Sequence, residues 1–307
     1  MIRILTNDGL QKGAIDKLSS LGFEVVNNHY DKESLGTTLR EFDILVIRSA
    51  TKVTADILEI SKESKLKLII RAGVGIDNID IAYAKKVGIQ VTNTPNASSD
   101  SVAELAIGHM FALARYIAAS NYTMRAGKWN KKKYEGIELS GKTLGIIGMG
   151  RIGRALAKKA EALGMTVIYN DMFGKQETLK NDFYEMDELF KKSDFISLHV
   201  PYDKEKGSLI GKEQFDRMKD GIYLINCARG KVVDEIALLD ALNSGKVAGA
   251  GIDVFEEEPT KNEELINHQK VSVTPHIGAA TKEAQDRIGE EVVNTIKDFV
   301  AENLVTV

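Results

Sequence analysis

The sequence predicts an α/β protein of two domains, each a doubly wound parallel sheet. Three observations carry this. Apolar strand-like runs alternate with helix-spaced patterns along most of the 307 residues, a length sufficient for two cores. The runs are continuously apolar, as in parallel sheets covered on both faces. A glycine-rich turn, Gly148-x-Gly150-x-x-Gly153, joins one such run to a helical pattern.

The elements follow in order. Ile2–Leu5 reads as a strand and Gly9–Leu21 as a helix. Strands Ile44–Ile47 and Leu68–Ile70 come next, then a short helix at Ile81–Lys85. Asn93-Thr94-Pro95-Asn96 punctuates the chain, and Asp100 or Ser101 is positioned to cap a long helix, Ser101–Arg115. That helix is apolar over too much of its surface to face solvent, so burial between subunits is expected. A second series begins at Lys142. Its strands are Leu144–Ile147, Thr166–Tyr169, Phe195–Leu198, Tyr223–Ile225, Ala248–Ile252 and Val271–Thr274, with a helix at Ile152–Leu163. Lys282–Phe299 is an amphipathic helix that is expected to return to the first domain. The domains are then 1–98 plus 285–307, and 99–284.

Composition narrows the function. Hydrophobic residues make up 43% and charged residues 28%, and the net charge is -3. No global basic field suggests a nucleic-acid partner. The single cysteine, Cys227, excludes an intramolecular disulfide and a multi-cysteine zinc site, and no metal centre is expected. The N-terminus lacks a signal-peptide layout, and the most apolar segment, Leu105–Ala114, is too short to span a bilayer. A cytoplasmic protein without membrane contact is expected.

The glycine turn has the context that dinucleotide binding demands. The turn is tight, the backbone must approach a pyrophosphate, and the third glycine lets helix and strand pack. The helix N-terminus that follows favours phosphate. The next strand ends at Asp171, near the offset of about 20 residues expected for a ribose-binding carboxylate. A carboxylate there repels a 2′-phosphate, so NAD is the expected cofactor, although Lys175 lies close by. The domain is Rossmann-like.

Hydride transfer to a ketone requires a proton donor and a cation near the oxygen. Of the five histidines, His29 and His268 lie in polar loops and His109 in an apolar helix. His199, before Val200 and Pro201, is a secondary candidate near the cofactor. His276 is the sharpest, because it emerges after the strand ending at Thr274, on the edge where open α/β sheets bind ligands. Arg229 and Glu258 leave two other strands on the same edge. A carboxylate close to an imidazole favours the imidazolium, and the planar guanidinium matches a carboxylate.

The ordered motifs GMGRIG, Asp171, NCARG (226–230), DVFEEEP (253–259) and TPHIGAAT (274–281) resemble those of the D-2-hydroxyacid dehydrogenases over nearly the whole chain. The resemblance implies His276 as acid–base, Glu258 as its partner and Arg229 as the substrate carboxylate binder. It also implies cofactor contacts at Val74, Cys227, Ala228, Arg229, Asp253, His276, Gly278 and Ala279, with Arg151 and Ile152 at the pyrophosphate. The segment Arg71-Ala-Gly-Val-Gly75 reads by itself equally well as a plain turn; the resemblance makes Val74 and Gly75 substrate contacts.

The substrate rests on the first domain. Arg48 and Lys52, in RSATK, follow a strand and are either solvated or aimed at an anion. With RAGVGIDNID (71–80) and NTPN (93–96), the segment is most similar to the phosphoglycerate dehydrogenase branch. That implies Arg48, Lys52 and Arg71 at a phosphate, with Asn96 also at the substrate. It implies entry to the phosphorylated route to serine. Glyoxylate or hydroxypyruvate reduction is the alternative, and an NADH-sensing corepressor on the same scaffold is a third reading. In this family the connection between domains builds a homodimer, tetramers being possible, and Lys131 is the match for a basic residue reaching the neighbour's site. Trp129 is expected at that interface or packed. Longer relatives carry a serine-sensing C-terminal domain for which no sequence remains here, so no serine feedback by that route is expected.

Overall fold

The computed structural model describes residues 1–304. It divides into two compact units, Met1–Ser98 with Ala279–Val307, and Ser99–Gly278. The second junction lies at 278/279 instead of the predicted 284/285. The reason is packing: Ala279 already lies against the core around Ile4, and Ala284 is fully buried.

Unit 1 begins with β1 (Arg3–Thr6), α1 (Lys12–Ser20), β2 (Glu24–Val26), α2 (Lys32–Thr38) and β3 (Ile44–Ile47). It continues with α3 (Ala55–Ser61), β4 (Leu68–Arg71), α4 (Ile81–Lys86) and β5 (Gln90–Asn93). The sheet is parallel with order β2-β1-β3-β4-β5. Successive side chains go to opposite layers: Ile4, Ile44 and Val46 to one, Leu5, Leu45 and Ile47 to the other. Both layers are dry, which explains the uninterrupted apolar runs; each such side chain contributes about 1.5–3 kcal/mol by burial.

Unit 2 contains α5 (Ser99–Ala114), α6 (Ile117–Arg125), β6 (Thr143–Ile147), α7 (Arg151–Ala162), β7 (Thr166–Asn170), β8 (Asp182–Phe183) and α8 (Met186–Lys192). Then come β9 (Phe195–Leu198), α9 (Lys212–Arg217), β10 (Ile222–Asn226), α10 (Glu235–Ser244), β11 (Val247–Ile252), α11 (Glu263–Ile266) and β12 (Val271–Val273). The order is β12-β11-β10-β9-β6-β7-β8, again parallel. Winding reverses between β6 and β9, and ligands bind at such a switch point. The final helix, α12 (Lys282–Leu304), returns to unit 1. Its Ile288, Val292, Val293 and Ile296 pack with Ile4, Leu18, Ile44 and Ile70.

Three strands are absent from the sequence reading: β2, β5 and β8. None contains a buried residue, so none carries an apolar run. Helix α5 starts at Ser99, so Asp100 lies within its first turn. The Ser101 hydroxyl donates to the Gly278 carbonyl at 2.6 Å instead of capping. The apolar surplus of α5 was expected to be buried between subunits. It is largely absorbed within unit 2, where Ala103, Ala106, Met110 and Leu113 pack with Leu144, Leu156 and Ile225. Among the described residues no single helix is long and apolar enough to cross a membrane. Only α5 with α6, bent by 62°, passes by length and composition.

Candidate active site

The glycine turn after β6 is shaped by contact. Gly148 has φ +94°, and a Cβ on it would lie 2.4 Å from the His199 carbonyl oxygen across the switch point. A Cβ on Gly153 would lie 2.3 Å from the Gly148 oxygen. Gly150, at the N-cap of α7, has nothing within 4 Å of its Cβ direction. Two glycines are thus closed by backbone and one opens onto free space at a helix N-terminus, as a diphosphate requires. Arg151 is exposed and Ile152 half-buried beside it.

Asp171 follows β7. Its Oδ2 accepts from the Met149 N–H at 2.8 Å and its Oδ1 from the Phe173 N–H at 3.0 Å. The carboxylate therefore braces the glycine turn, and an ionised carboxylate keeps acceptor capacity for a sugar hydroxyl. His199 shapes the turn through its backbone. Its Nε2 pairs with the Ser197 hydroxyl at 2.9 Å, and burial pushes the imidazole down to about 4, so it is neutral near pH 7. The Val200 side chain closes on Gly148, while Pro201 is exposed.

The ends of β10, β11 and β12 bring the predicted catalytic residues of this unit together. Asn226 was not singled out from sequence. Its Nδ2 donates to the Arg229 carbonyl at 2.9 Å and its Oδ1 accepts from the Ala228 N–H at 3.1 Å, so it folds the loop that carries Arg229. Cys227 is buried there, and burial pushes its thiol far above the ordinary range. The Arg229 Nη1 donates to the Ala228 carbonyl at 2.6 Å. Glu258 lies 2.7 Å from His276, Oε2 to Nδ1, and its Oε1 accepts from the Phe255 N–H at 3.2 Å. Partial burial acts to raise the Glu258 carboxyl. The hydrogen bond and charge of His276, the Phe255 N–H and nearby Arg229 outweigh this and hold it below the usual range. The backbone of His276 is left-handed, with φ 53°. Asp253, 1% exposed, supports this loop; its Oδ1 accepts from Ile277 N–H at 2.8 Å and its Oδ2 from Gly278 N–H at 2.9 Å. With Nδ1 held by Glu258, Nε2 of His276 is the atom left for a substrate.

In unit 1, the loop after β3 is clamped to the loop after β1. Asp8 Oδ2 accepts from the Arg48 N–H at 2.6 Å and the Thr51 N–H at 3.1 Å, and its Oδ1 from the Thr51 hydroxyl at 2.6 Å. Asn78 donates to the carbonyls of Arg48 and Thr51, each at 2.7 Å. Asp8 was missed, although an Asn-Asp-Gly sequence at a strand end is a turn signal. The side chains of Arg48, half-buried, and Lys52, exposed, make no hydrogen bond or ion pair among the described residues. Arg71 ends β4, and its guanidinium lies over Gly73, where a Cβ would fall 1.4 Å from Nη1. Val74 and Gly75 follow in that turn, with the Val74 carbonyl accepting from Asn93. Asn96 donates instead to Glu291 of α12 at 3.0 Å. Ala279 accepts from Gln285 at 2.8 Å. Lys131 sits in an exposed single turn, and Trp129 beside it is 78% exposed, hence not packed within the chain.

Residues 107–278 match the family model of the D-isomer specific 2-hydroxyacid dehydrogenase, NAD binding domain. The chain is 49% identical over 298 residues to a hydroxypyruvate reductase of Thermotoga maritima, covering 96% of this chain and 97% of that one. It is 45% identical over 313 residues to a D-3-phosphoglycerate dehydrogenase of Methanocaldococcus jannaschii, covering 99% of this chain and 59% of that longer protein. The structure of D-lactate dehydrogenase from Aquifex aeolicus with NAD and lactic acid superimposes with a TM-score of 0.85 at 34% identity, covering 99% and 97%. The chain belongs to the D-isomer specific 2-hydroxyacid dehydrogenases, a family of NAD-dependent oxidoreductases.

Proposed function

We propose that the chain interconverts a D-2-hydroxy acid and its 2-oxo acid, with His276 as acid–base, Glu258 as its partner and Arg229 holding the substrate carboxylate. The observation that carries this is the 2.7 Å His276–Glu258 pair beside Arg229, at the strand ends of the nucleotide-binding unit. NAD bound on the glycine turn supplies the hydride acceptor. In oxidation, Nε2 of His276 takes the hydroxyl proton as the C2 hydride leaves. In reduction, the imidazolium returns that proton to the carbonyl oxygen, and Glu258 offsets its charge. Arg229 orients the acid by a two-point contact; Val74 and Gly75 stay candidate substrate contacts of unit 1.

We take D-3-phosphoglycerate as the leading substrate, oxidised to 3-phosphohydroxypyruvate, the first step of the phosphorylated route to serine. Arg48 and Lys52 support this, because their cationic ends are uncommitted among the described residues. Arg71 is a third candidate at the phosphate, and unit 1 is the substrate-binding domain in this reading. Asn96 is a weaker candidate, since Glu291 engages its amide. Hydroxypyruvate or glyoxylate reduction is the second reading, favoured by the 49% identity to a hydroxypyruvate reductase over nearly its whole length. Steady-state kinetics on phosphohydroxypyruvate, hydroxypyruvate and glyoxylate, each with NADH and NADPH, decide between them. Arg48→Ala is expected to raise KM for phosphohydroxypyruvate about 10-fold, as loss of a hydrogen bond to a charged group does, with little change for glyoxylate. An unchanged KM removes the phosphate site and leaves the reductase reading.

We also propose a homodimer, with Lys131 reaching the neighbour's site. Support comes from the apolar surface of α6 and its flank: Ile117 is 53% exposed, Tyr122 77%, Met124 51% and Trp129 78%. Light scattering is expected to give about twice the 33.8 kDa chain mass, or four times for a tetramer; 33.8 kDa at every concentration excludes the assembly.

A further inference from the structure

His109 lies on α5, 2% exposed, and both ring nitrogens are engaged. Nδ1 is 2.9 Å from the Ser272 hydroxyl and Nε2 is 3.0 Å from the Thr274 hydroxyl. The Thr274 hydroxyl lies 2.6 Å from Asp253 Oδ1. Asp253 in turn accepts from the N–H groups of Ile277 and Gly278, and its carbonyl from the His276 N–H at 2.8 Å.

Donor counting orders this chain. A carboxylate only accepts, so the single hydroxyl proton of Thr274 goes to Asp253. The Thr274 oxygen then accepts from His109 Nε2–H, and Nδ1 accepts from Ser272. One neutral tautomer satisfies every group, and burial, working against a partial opposing effect of Asp253, lowers the His109 pKa and keeps it neutral. Room for the ring comes from Gly251 of β11, where a Cβ would fall 2.6 Å from the His109 Cβ. At the other end of the chain, His276 holds the left-handed φ of 53°, which a non-glycine residue keeps only when its surroundings enforce it.

We infer that His109 is a positioning residue for the reaction. By donating to Thr274 it commits the Thr274 hydroxyl to Asp253, and so fixes the loop that presents His276. This rests on the acid–base reading of His276. His109 is too deeply buried to meet substrate itself; it acts through two side chains, and a buried polar chain loses more than one link when one member is removed.

The test measures kcat, the NADH dissociation constant and the unfolding midpoint for four variants. His109→Leu is expected to lower kcat about 10-fold or more, within the range that small misplacement of a reacting group costs. NADH affinity should fall by much less than kcat, because the glycine turn and Asp171 lie at other strands and only the contacts expected at Asp253, His276 and Gly278 lie in this loop. His109→Gln, which keeps a donor and an acceptor, is expected to recover most of kcat. Thr274→Val removes the middle link at nearly constant volume and should reproduce the loss, also where His109→Leu folds poorly. A wild-type kcat in Thr274→Val, or a His109→Gln as impaired as His109→Leu, overturns the inference. His276→Ala separates the two readings. An active His276→Ala overturns the acid–base role and this inference with it. An inactive one beside an unimpaired His109→Leu overturns this inference alone.

Discussion

Replacing His276 with alanine is expected to lower kcat in both directions by about three orders of magnitude, the middle of the range for a positioned general acid–base. The side chain is partly exposed, with 30% of its surface accessible, so its removal leaves no buried cavity and the fold should persist. NADH affinity rests mainly on the turn at Gly148–Gly153 and on Asp171, which alanine at 276 does not touch. The expected signature is therefore a collapse of kcat with the NADH dissociation constant changed by no more than about two- to three-fold, well under 1 kcal/mol. Pre-steady-state mixing with NADH and the oxo acid reads the chemical step directly. Glu258→Gln keeps a hydrogen-bond acceptor for Nδ1 but removes the charge, and should fall between wild type and His276→Ala. If His276→Ala turns over at a wild-type rate, the proton comes from elsewhere and the whole assignment at the ends of β10 to β12 fails.

Gly230→Ala is expected to destabilise the protein by about 3 kcal/mol, the upper part of the usual overpacking range, and to lower kcat/KM about 100-fold. A Cβ at this position would fall 1.9 Å from both the carbonyl carbon and oxygen of Phe255, and 2.5 Å from the Glu256 nitrogen. These are backbone atoms, so no rotamer change relieves the clash. The segment after β11 would have to move away from the segment after β10. Those segments carry Glu258 and Arg229, and the Phe255 N–H itself donates to Glu258 at 3.2 Å. Stability and catalysis should therefore fall together. Urea unfolding and steady-state kinetics on the folded fraction check this. Native stability with full activity shows that the two segments separate without consequence. A stability loss with normal kcat/KM shows that the contact supports the fold alone.

Much of the candidate site was legible because its chemistry is written locally. Gly148, Gly150 and Gly153 sit between a strand and a helix, where neighbouring backbone closes Gly148 and Gly153 to any side chain and Gly150 opens onto the helix N-terminus. Arg229, Glu258 and His276 each follow a strand-like run, so parallel topology sends them to one edge. Their partners were less legible. Asp8 and Asn226 shape loops through hydrogen bonds to backbone groups, and such bonds leave no periodic trace. For Asn96 the hidden partner is Glu291, distant in sequence, whose carboxylate accepts from its amide. The helix around His109 read as simply packed, because apolar spacing does not show what a buried polar side chain meets on another element.

Residue order alone therefore indicated the α/β class, through strand–helix alternation along the chain, and the cofactor turn, through spacing along one strand–turn–helix; the roles proposed for His276, Glu258 and Arg229 came from the resemblance of their motifs to the family. Only the tertiary structure decided the rest. It set the strand order of both sheets, the junction at 278/279 ahead of α12, the clamp of Asp8 on the loop of Arg48, and the chain from His109 to His276. The physical reason is that each of these is a contact between segments far apart in sequence. Each is specified by complementary shape and paired donors and acceptors, which exist only once the sheets have assembled.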